Sequence, residues 1–346
     1  PAGALTMRRL LRWIGYGALW LVVLATLAWG CAALWFDGPA ARPVAGSIAA
    51  AFAVASLGLL ITRRPLWRGV FAYAVLFGFV LAWWVSIPPS NDRNWLPDVA
   101  NPTTAESDGD RLTIHNLRTF EYRGVDDSTP RWETRTYDLS RLVGMDIYYF
   151  YWGSPNIAHT ILTWDFEDAP PLAISIETRK EVGESYSAVL GFFKQFELYY
   201  VVGDERDLIR LRTNFRDDQG YLYRLDWSPD DARLLLMSYL DRINRIAHSP
   251  RWYNAFSQNC STTIRLHLKR IGLARSWNWR VLVNGRGPEL LHMRGVLNTT
   301  MPFEELKARS YVNDRGKAAG DAPDFSRRIR EGLPPRPRPV AHRAHH

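Results

Sequence analysis

Cys260 stands in the run Tyr253-Asn254-Ala255-Phe256-Ser257-Gln258-Asn259-Cys260-Ser261-Thr262-Thr263-Ile264, and the chain has only one other cysteine, Cys31, inside an apolar stretch near the N-terminus. Outside a membrane, Cys260 therefore has no partner for an internal disulfide, and a lone thiol in an oxidising compartment is a reactive group. The residues after Asn259 read as a helix to about Ile271, with Gly272 as its stop signal. Cys260 falls in the first turn of that helix. Unpaired amides and the helix dipole favour an anion there, and the thiolate is the nucleophilic form of cysteine. The competing reading is a small buried residue at a packed helix start.

A thiol nucleophile needs a base. The histidines available are His115, His159, His248, His267 and His292. His267 lies two turns along the helix from Cys260 and points elsewhere. His248 ends a helix, where a cation is structurally ordinary, and nothing near His115 or His292 favours them. His159 begins the strand Ala158–Phe166, and Leu172–Thr178 follows across the turn Glu167-Asp168-Ala169-Pro170. A hairpin centred on Asp168 sets His159 opposite Glu177 on one sheet face. A carboxylate there would fix the imidazole tautomer and stabilise the imidazolium. A cross-strand His–Glu pair without catalytic work is the alternative, and a one-residue register slip would separate the two. No His/Asp/Glu spacing resembles a metal-ligand set, and no cofactor is expected.

The elements that must hold these residues divide the 346-residue chain. Trp13–Phe36, Val44–Thr62 and Gly69–Ile87 carry no charge, and each is long enough to cross a hydrocarbon core of about 30 Å. Arg8, Arg9, Arg12, Arg63, Arg64 and Arg68 flank them on one side, which places residues beyond Ile87 outside a bacterial cytoplasmic (inner) membrane. The net charge of +8 sits in those arginines and in an arginine-rich tail, so the remainder is slightly acidic and a nucleic-acid partner is not expected. The expected organisation is a membrane anchor over 1–87, a linker over 88–110, a folded domain over 111–312 and a disordered basic Pro/His tail over 313–346. Strands are expected at Leu112–Tyr122, Met145–Trp152, Ala158–Phe166, Leu172–Thr178, Tyr199–Val202 and Tyr221–Leu225. A helix capped by Ser228 precedes the Cys260 helix. Together these give an α+β domain with an antiparallel sheet and packed helices. The aromatic run Tyr148–Trp152 reads as core, with the wall of an acyl pocket as the alternative.

The stretch Ile114–Leu225, with the cysteine motif beyond it, resembles the Lnb N-terminal periplasmic domain family. The resemblance rests on His115-Asn116-Leu117-Arg118-Thr119-Phe120-Glu121-Tyr122-Arg123, Tyr137-Asp138-Leu139, Ile157-Ala158-His159-Thr160, Ser175-Ile176-Glu177-Thr178-Arg179-Lys180-Glu181, Gly203-Asp204-Glu205-Arg206-Asp207 and Asn259-Cys260-Ser261-Thr262-Thr263. The family includes a lipoprotein intramolecular transacylase, so the resemblance implies Cys260 as nucleophile and His159 as base, with Glu177 as the orienting third residue. The Asn-Cys helix start after an earlier histidine is also similar to lecithin:retinol acyltransferase-like enzymes, which implies a permuted NlpC/papain-like fold. In that transacylase the membrane spans follow the catalytic domain, whereas three precede it here.

These readings lead to a membrane-anchored cysteine acyltransferase that moves a lipid acyl chain through a thioester to an amine, with a membrane lipid or lipoprotein as substrate and the bilayer as partner. Asn259 and Ser261 support the nucleophile, and the amides of Cys260 and Ser261 are candidates for an oxyanion hole. Arg118 and Arg179 are candidates for lipid-phosphate contacts, with ion pairing inside the sheet as the alternative. Two rival functions remain. A papain-like cell-wall peptidase or amidase would place polar and acidic residues at Cys260. A non-catalytic envelope scaffold would bury Cys260 beyond the reach of His159.

Overall fold

The computed structural model describes residues 2–38 and 41–337. Two compact units emerge: the described residues of Pro1–Pro89 together with Ser187–Gln195, and those of Ser90–Tyr186 together with Phe196–His346.

The first unit is built on α1 (Ala2–Phe36), α2 (Arg42–Thr62) and α3 (Leu66–Ser86). All three are long and apolar enough to cross a membrane, over Arg9–Phe36, Arg42–Thr62 and Leu66–Ser86. Their shared seam buries Val23, Leu34, Ala49, Phe52, Leu60 and Tyr73, while residues such as Leu21, Val54, Phe71 and Phe79 face outward. That inside-out distribution suits a lipid solvent. Gly30 lies against the Phe52 ring, and Thr26 hydrogen-bonds the Tyr73 hydroxyl at 2.8 Å. Segment Ser187–Gln195 closes the unit: Gln195 donates to Asp37 at 2.6 Å, and Phe193 packs on Phe36 with ring centroids 5.0 Å apart.

The second unit is an eight-stranded sheet with helices on both faces. Its strands are β1 (Thr104–Asp108), β2 (Arg111–Arg118), β5 (Trp132–Asp138), β6 (Leu142–Tyr151), β7 (Ala158–Phe166), β8 (Leu172–Arg179), β9 (Glu197–Asp204) and β10 (Gln219–Arg224); β3 (Glu121–Tyr122) and β4 (Ser128–Thr129) form a separate ribbon. The order is β1-β2-β9-β8-β7-β6-β10, with β5 also on β2. Pairing is antiparallel throughout, apart from a short parallel contact between β2 and β9. The central β7 and β8 are buried on both faces, although about half of their residues are polar.

On one face lies α5 (Pro229–His248), capped by Ser228, which accepts from the Asp231 amide. It buries Leu235, Leu236, Tyr239, Leu240 and Ile243, and the Trp164 indole donates to Ala232 O at 2.8 Å. Alongside it runs α6 (Cys260–Arg270). The opposite face is covered by α4 (Glu205–Arg210), α9 (Asn313–Ala319) and α10 (Phe325–Arg328). There Tyr148, Phe150, Ile161, Ala173 and Val201 pack on Leu208, Ile209, Ala319, Phe325 and Ile329. The short helices α7 (Gly287–Met293) and α8 (Phe303–Arg309) complete the unit.

Two expected boundaries move. The region expected as a linker, 88–110, is folded: Trp95 and Val99 are buried, Asn91 donates to Ile246 O and Ala247 O, and β1 pairs with β2. Its Pro, Asn and Asp content conceals two apolar anchors. The region expected as a disordered tail from 313 is folded to at least 337. Phe325 and Ile329, one helical turn apart, are wholly buried, and Arg330 and Arg336 end among Asp146, Asp165 and Glu205. Its basic character is thus neutralised inside the fold. The remainder of the tail, 338–346, lies outside the described residues.

Candidate active site

Cys260 is the first residue of α6. Asn259 caps the helix by accepting from the Thr262 amide at 2.9 Å, while the Thr262 hydroxyl accepts from the Asn259 amide at 3.0 Å. This reciprocal box fixes the first turn and fills two of its orphan groups. The helix ends at Gly272 with φ +77°, a left-handed conformation that glycine adopts without strain.

The β7–β8 hairpin has the register that centring on Asp168 gives, with Ile161 opposite Ser175 and Trp164 opposite Leu172. His159 and Glu177 consequently meet, Nε2 to Oε1 at 3.0 Å. Ser175, which the sequence reading missed, bridges them: its hydroxyl lies 2.6 Å from His159 Nε2 and donates to Glu177 Oε1 at 2.7 Å. Arg212 holds the same carboxylate oxygen at 3.1 Å and anchors its other arm on Asp218 at 3.0 Å. With Nε2 occupied, Nδ1 is the ring nitrogen left for the thiol.

The Cys260 thiol meets the His159 imidazole, the Asn284 carboxamide (Nδ2 to Sγ 3.5 Å) and the Thr160 amide. Burial alone would raise this thiol, but those three groups outweigh it and hold it below its ordinary 9.0. Burial likewise opposes charge on His159, yet Glu177 prevails and raises the imidazole above 6.5. Glu177 is drawn well below 4.5, because His159 and Arg212 outweigh its own burial. All three shifts favour a thiolate–imidazolium pair backed by a carboxylate.

Asn284 was also missed. Its Oδ1 accepts from the Ala158 amide at 3.0 Å and its Nδ2 donates to Ala158 O, so it clamps the start of β7 beside His159. The next residue must be glycine, since a Cβ on Gly285 would run into the Pro155 and Asn156 backbone. Asn284 lies 24 positions beyond Cys260, in a stretch without periodicity, so only the Asn-Gly pair hinted at a tight turn.

The other expected supports separate. Ser261 stays at the site, its hydroxyl 4.0 Å from Sγ. Arg118 does not serve as a lipid contact: it is buried and bidentate on Asp207, at 2.9 and 2.6 Å. Arg179 is also consumed inside the fold, donating to Val99 O, Ala100 O and Asn91 while stacked between Trp95 and Tyr199. For both, pairing within the protein is the role observed. His267 is buried between the Tyr200 and Ser238 hydroxyls, each 2.9 Å away, and stacks on Tyr239, which makes it a core residue. Among the described residues no group of three or more His, Cys, Asp or Glu side chains is arranged to hold a metal ion.

A cavity of about 1260 Å³ reaches the start of α6 at Ser261, the residue after Cys260, which does not itself line it. One face of α6 lines it through Ser261, Ile264, Arg265 and Leu268, with Tyr149, Leu290 and Leu291 among the remaining wall residues. Most of the wall is apolar; arginines and the carboxylates of Asp226 and Asp231 supply the charge. Tyr149 lines this cavity while Tyr148 and Phe150 enter the core of the opposite sheet face, so strand alternation divides the aromatic run between a cavity wall and the core.

Comparison with curated proteins finds no match, and none is found among solved structures. One family model does match, described as the Lnb N-terminal periplasmic domain, over residues 128–285. The match encloses His159, Ser175, Glu177, Cys260 and Asn284, and with the three apolar helices it makes this a membrane protein with an extracytoplasmic domain. Over residues 128–285 this protein is therefore similar to the Lnb N-terminal periplasmic domain family.

Proposed function

We propose that this protein is a thiol acyltransferase anchored in a bacterial inner membrane, with Cys260 as nucleophile, His159 as general base and acid, and Glu177 as the residue that orients His159. The observation that carries this reading is a thiol polarised by a His–Ser–Glu relay at the start of a helix whose next residue, Ser261, lines a large and mostly apolar trough. In the reaction the Cys260 thiolate attacks the carbonyl carbon of a lipid ester. The tetrahedral intermediate collapses as the His159 imidazolium protonates the departing alkoxide, leaving a thioester. An amine then attacks the thioester, His159 takes its proton, and the thiolate departs. The Cys260 amide at the helix start and the Asn284 carboxamide are the donors available for the oxyanion.

A trough of this volume exceeds the usual span of small-ligand pockets, about 300–1,000 Å³, and suits an acyl chain. A cell-wall peptidase would need polar walls to bind its substrate, and most of this wall is apolar. A scaffold would have no use for three coupled shifts that all favour the ion pair.

The test is intact mass of the purified protein after exposure to an activated acyl ester. A single acyl adduct on wild type, absent from Cys260→Ser and at least ~10-fold slower in His159→Ala, is expected. An inert Cys260, or a rate indifferent to His159→Ala, overturns the reading. Adduct loss to water with no acceleration by added amines would make the enzyme a hydrolase.

A further inference from the structure

The trough carries a charge feature that thiol chemistry does not use. Arg265, Arg275 and Arg294 line it together, yet among the described residues none of the three forms an ion pair with a carboxylate. Each instead rests one nitrogen on a backbone carbonyl: Arg265 on Arg275 O at 2.7 Å, Arg275 on Arg294 O at 2.9 Å and Arg294 on Ser276 O at 2.6 Å. This chain of contacts gathers three guanidinium groups and leaves most of their five donors each unspent. Burial, and after it Arg275 and Arg265, hold Arg294 below its ordinary value. A fourth arginine of the wall, Arg280, has a buried Nε without a hydrogen-bond partner, its nearest carboxylate, Glu289, being 3.7 Å away. Many surface arginines of this protein find acids, as Arg123 does with Asp127 and Arg245 with Asp241, although among the described residues Arg111 and Arg251 do not. A cluster that does not find them is arranged for an anion that arrives from outside.

The position of the cluster limits what the anion can be. Ser261 and Arg265 are four residues apart on one helix face, about 6 Å along the axis, and apolar side chains fill most of the remaining wall, which also holds Asp226 and Asp231. We propose that this trough binds an anionic phosphoester amphiphile, a glycerophospholipid-class molecule whose phosphate sits on Arg265, Arg275 and Arg294 while its acyl chain lies along α6 with an ester near Cys260. This assignment rests on the acyltransferase reading for the part that concerns the ester. It also moves the lipid-phosphate role from Arg118 and Arg179, both consumed by internal partners, to arginines that are free to take it.

Binding and chemistry are separable in the experiment. The full chain carrying Cys260→Ser is titrated with dihexanoyl phosphatidylglycerol, with neutral dihexanoylglycerol and with inorganic phosphate, each read by isothermal titration calorimetry. The phosphoester is expected to bind at least ~10-fold more tightly than the neutral lipid, with a preference that shrinks as salt rises. Arg294→Gln with Arg275→Gln should abolish the preference and leave neutral-lipid binding within about twofold, while the corresponding lysine pair should retain part of it. The salt dependence of the unmodified arginines keeps the test valid should the glutamine pair fail to fold. Equal binding of the two lipids, or a preference that survives both substitutions and high salt, overturns the proposal. Inorganic phosphate competing at concentrations comparable to the phosphoester would assign the cluster to a free anion and also overturn it. Mass analysis of protein with an intact Cys260 then isolates the chemistry: a clear phosphoester preference without any thioester would sink the acyl-enzyme and leave the binding site standing.

Discussion

A thiol as enclosed as Cys260 would stay protonated if burial acted alone. Its contacts reverse that balance, and the reversal can be measured without any substrate. Alkylation by iodoacetamide follows the thiolate fraction, so wild type should react at pH values well below the ordinary 9.0 of a thiol, with the low-pH limb set by Cys260. His159→Ala removes the largest lowering influence and leaves burial, so the limb should move upward and the rate at pH 7 fall at least ~10-fold. Glu177→Gln keeps the shape but loses the charge that raises His159; the imidazolium should then lose its proton at lower pH, contracting the active window from its alkaline side. Ser175→Ala gives the sharper test of the relay. It should leave the fold intact and reduce the acylation rate by loosening the imidazole, and a rate equal to wild type would show that the direct contact of 3.0 Å between His159 and Glu177 is sufficient.

At the scale of the element, α6 carries both the nucleophile and a buried imidazole, and these make opposite demands. Asn259→Ala should cost about 1 kcal/mol in thermal unfolding through loss of the cap. Asn259→Asp should keep the cap but place a carboxylate beside Cys260, so stability is retained while thiol reactivity falls. Two turns later, burial, with Arg242 and Arg270, pulls His267 down to about 3. Its folded value is depressed below the unfolded 6.5, so its contribution to stability is present above 6.5 and lost as pH falls toward 3. Replacing it with glutamine should flatten that part of the unfolding profile, by no more than ~1.4 kcal/mol per pH unit. An unaltered slope would place its titration elsewhere. Much of this element was legible in sequence, because an Asn cap, a helical run and a glycine stop are local signals. The hairpin register was legible for the same reason: one turn centred on Asp168 fixes every pair. Ser175 was within reach, since it shares a face with Glu177 two residues away. Strands β1 and β5 were not, because exposed edge strands with half-buried polar residues carry little apolar period. Asn284 was not, because its meaning arises only when a distant turn meets the start of β7.

At the scale of the whole molecule, charge that looks like tail composition is part of the core. Arg330 reaches Glu205 at 2.6 Å and both Asp146 and Asp165 at 3.0 Å, while Tyr148 donates to Glu205 at 2.7 Å. Burial and the neighbouring Asp146 push Asp165 above the usual carboxylate range. Three acids gathered beneath the sheet would repel one another without their arginines, and it is a segment more than 120 residues further along the chain from Glu205 that supplies Arg330. No local reading of Gly, Pro and Arg reveals such an arrangement, because its stabilisation depends on carboxylates contributed by β6, β7 and α4. Removing one member of a buried ion cluster typically costs about 3–5 kcal/mol, since the partner charges stay buried. Arg330→Ala should therefore lower the unfolding midpoint of the extracytoplasmic unit severely. A chain ending after Leu333, which loses Arg336 and keeps Arg330, should be affected less, because Arg224 still approaches Asp146 and Asp165. The two variants melting alike, or Arg330→Ala melting like wild type, would mean that the segment does not clamp the sheet. If the expected order holds, proteolysis from the C-terminus should stop short of Arg330 in the native protein, and the folded domain must be cloned to include it.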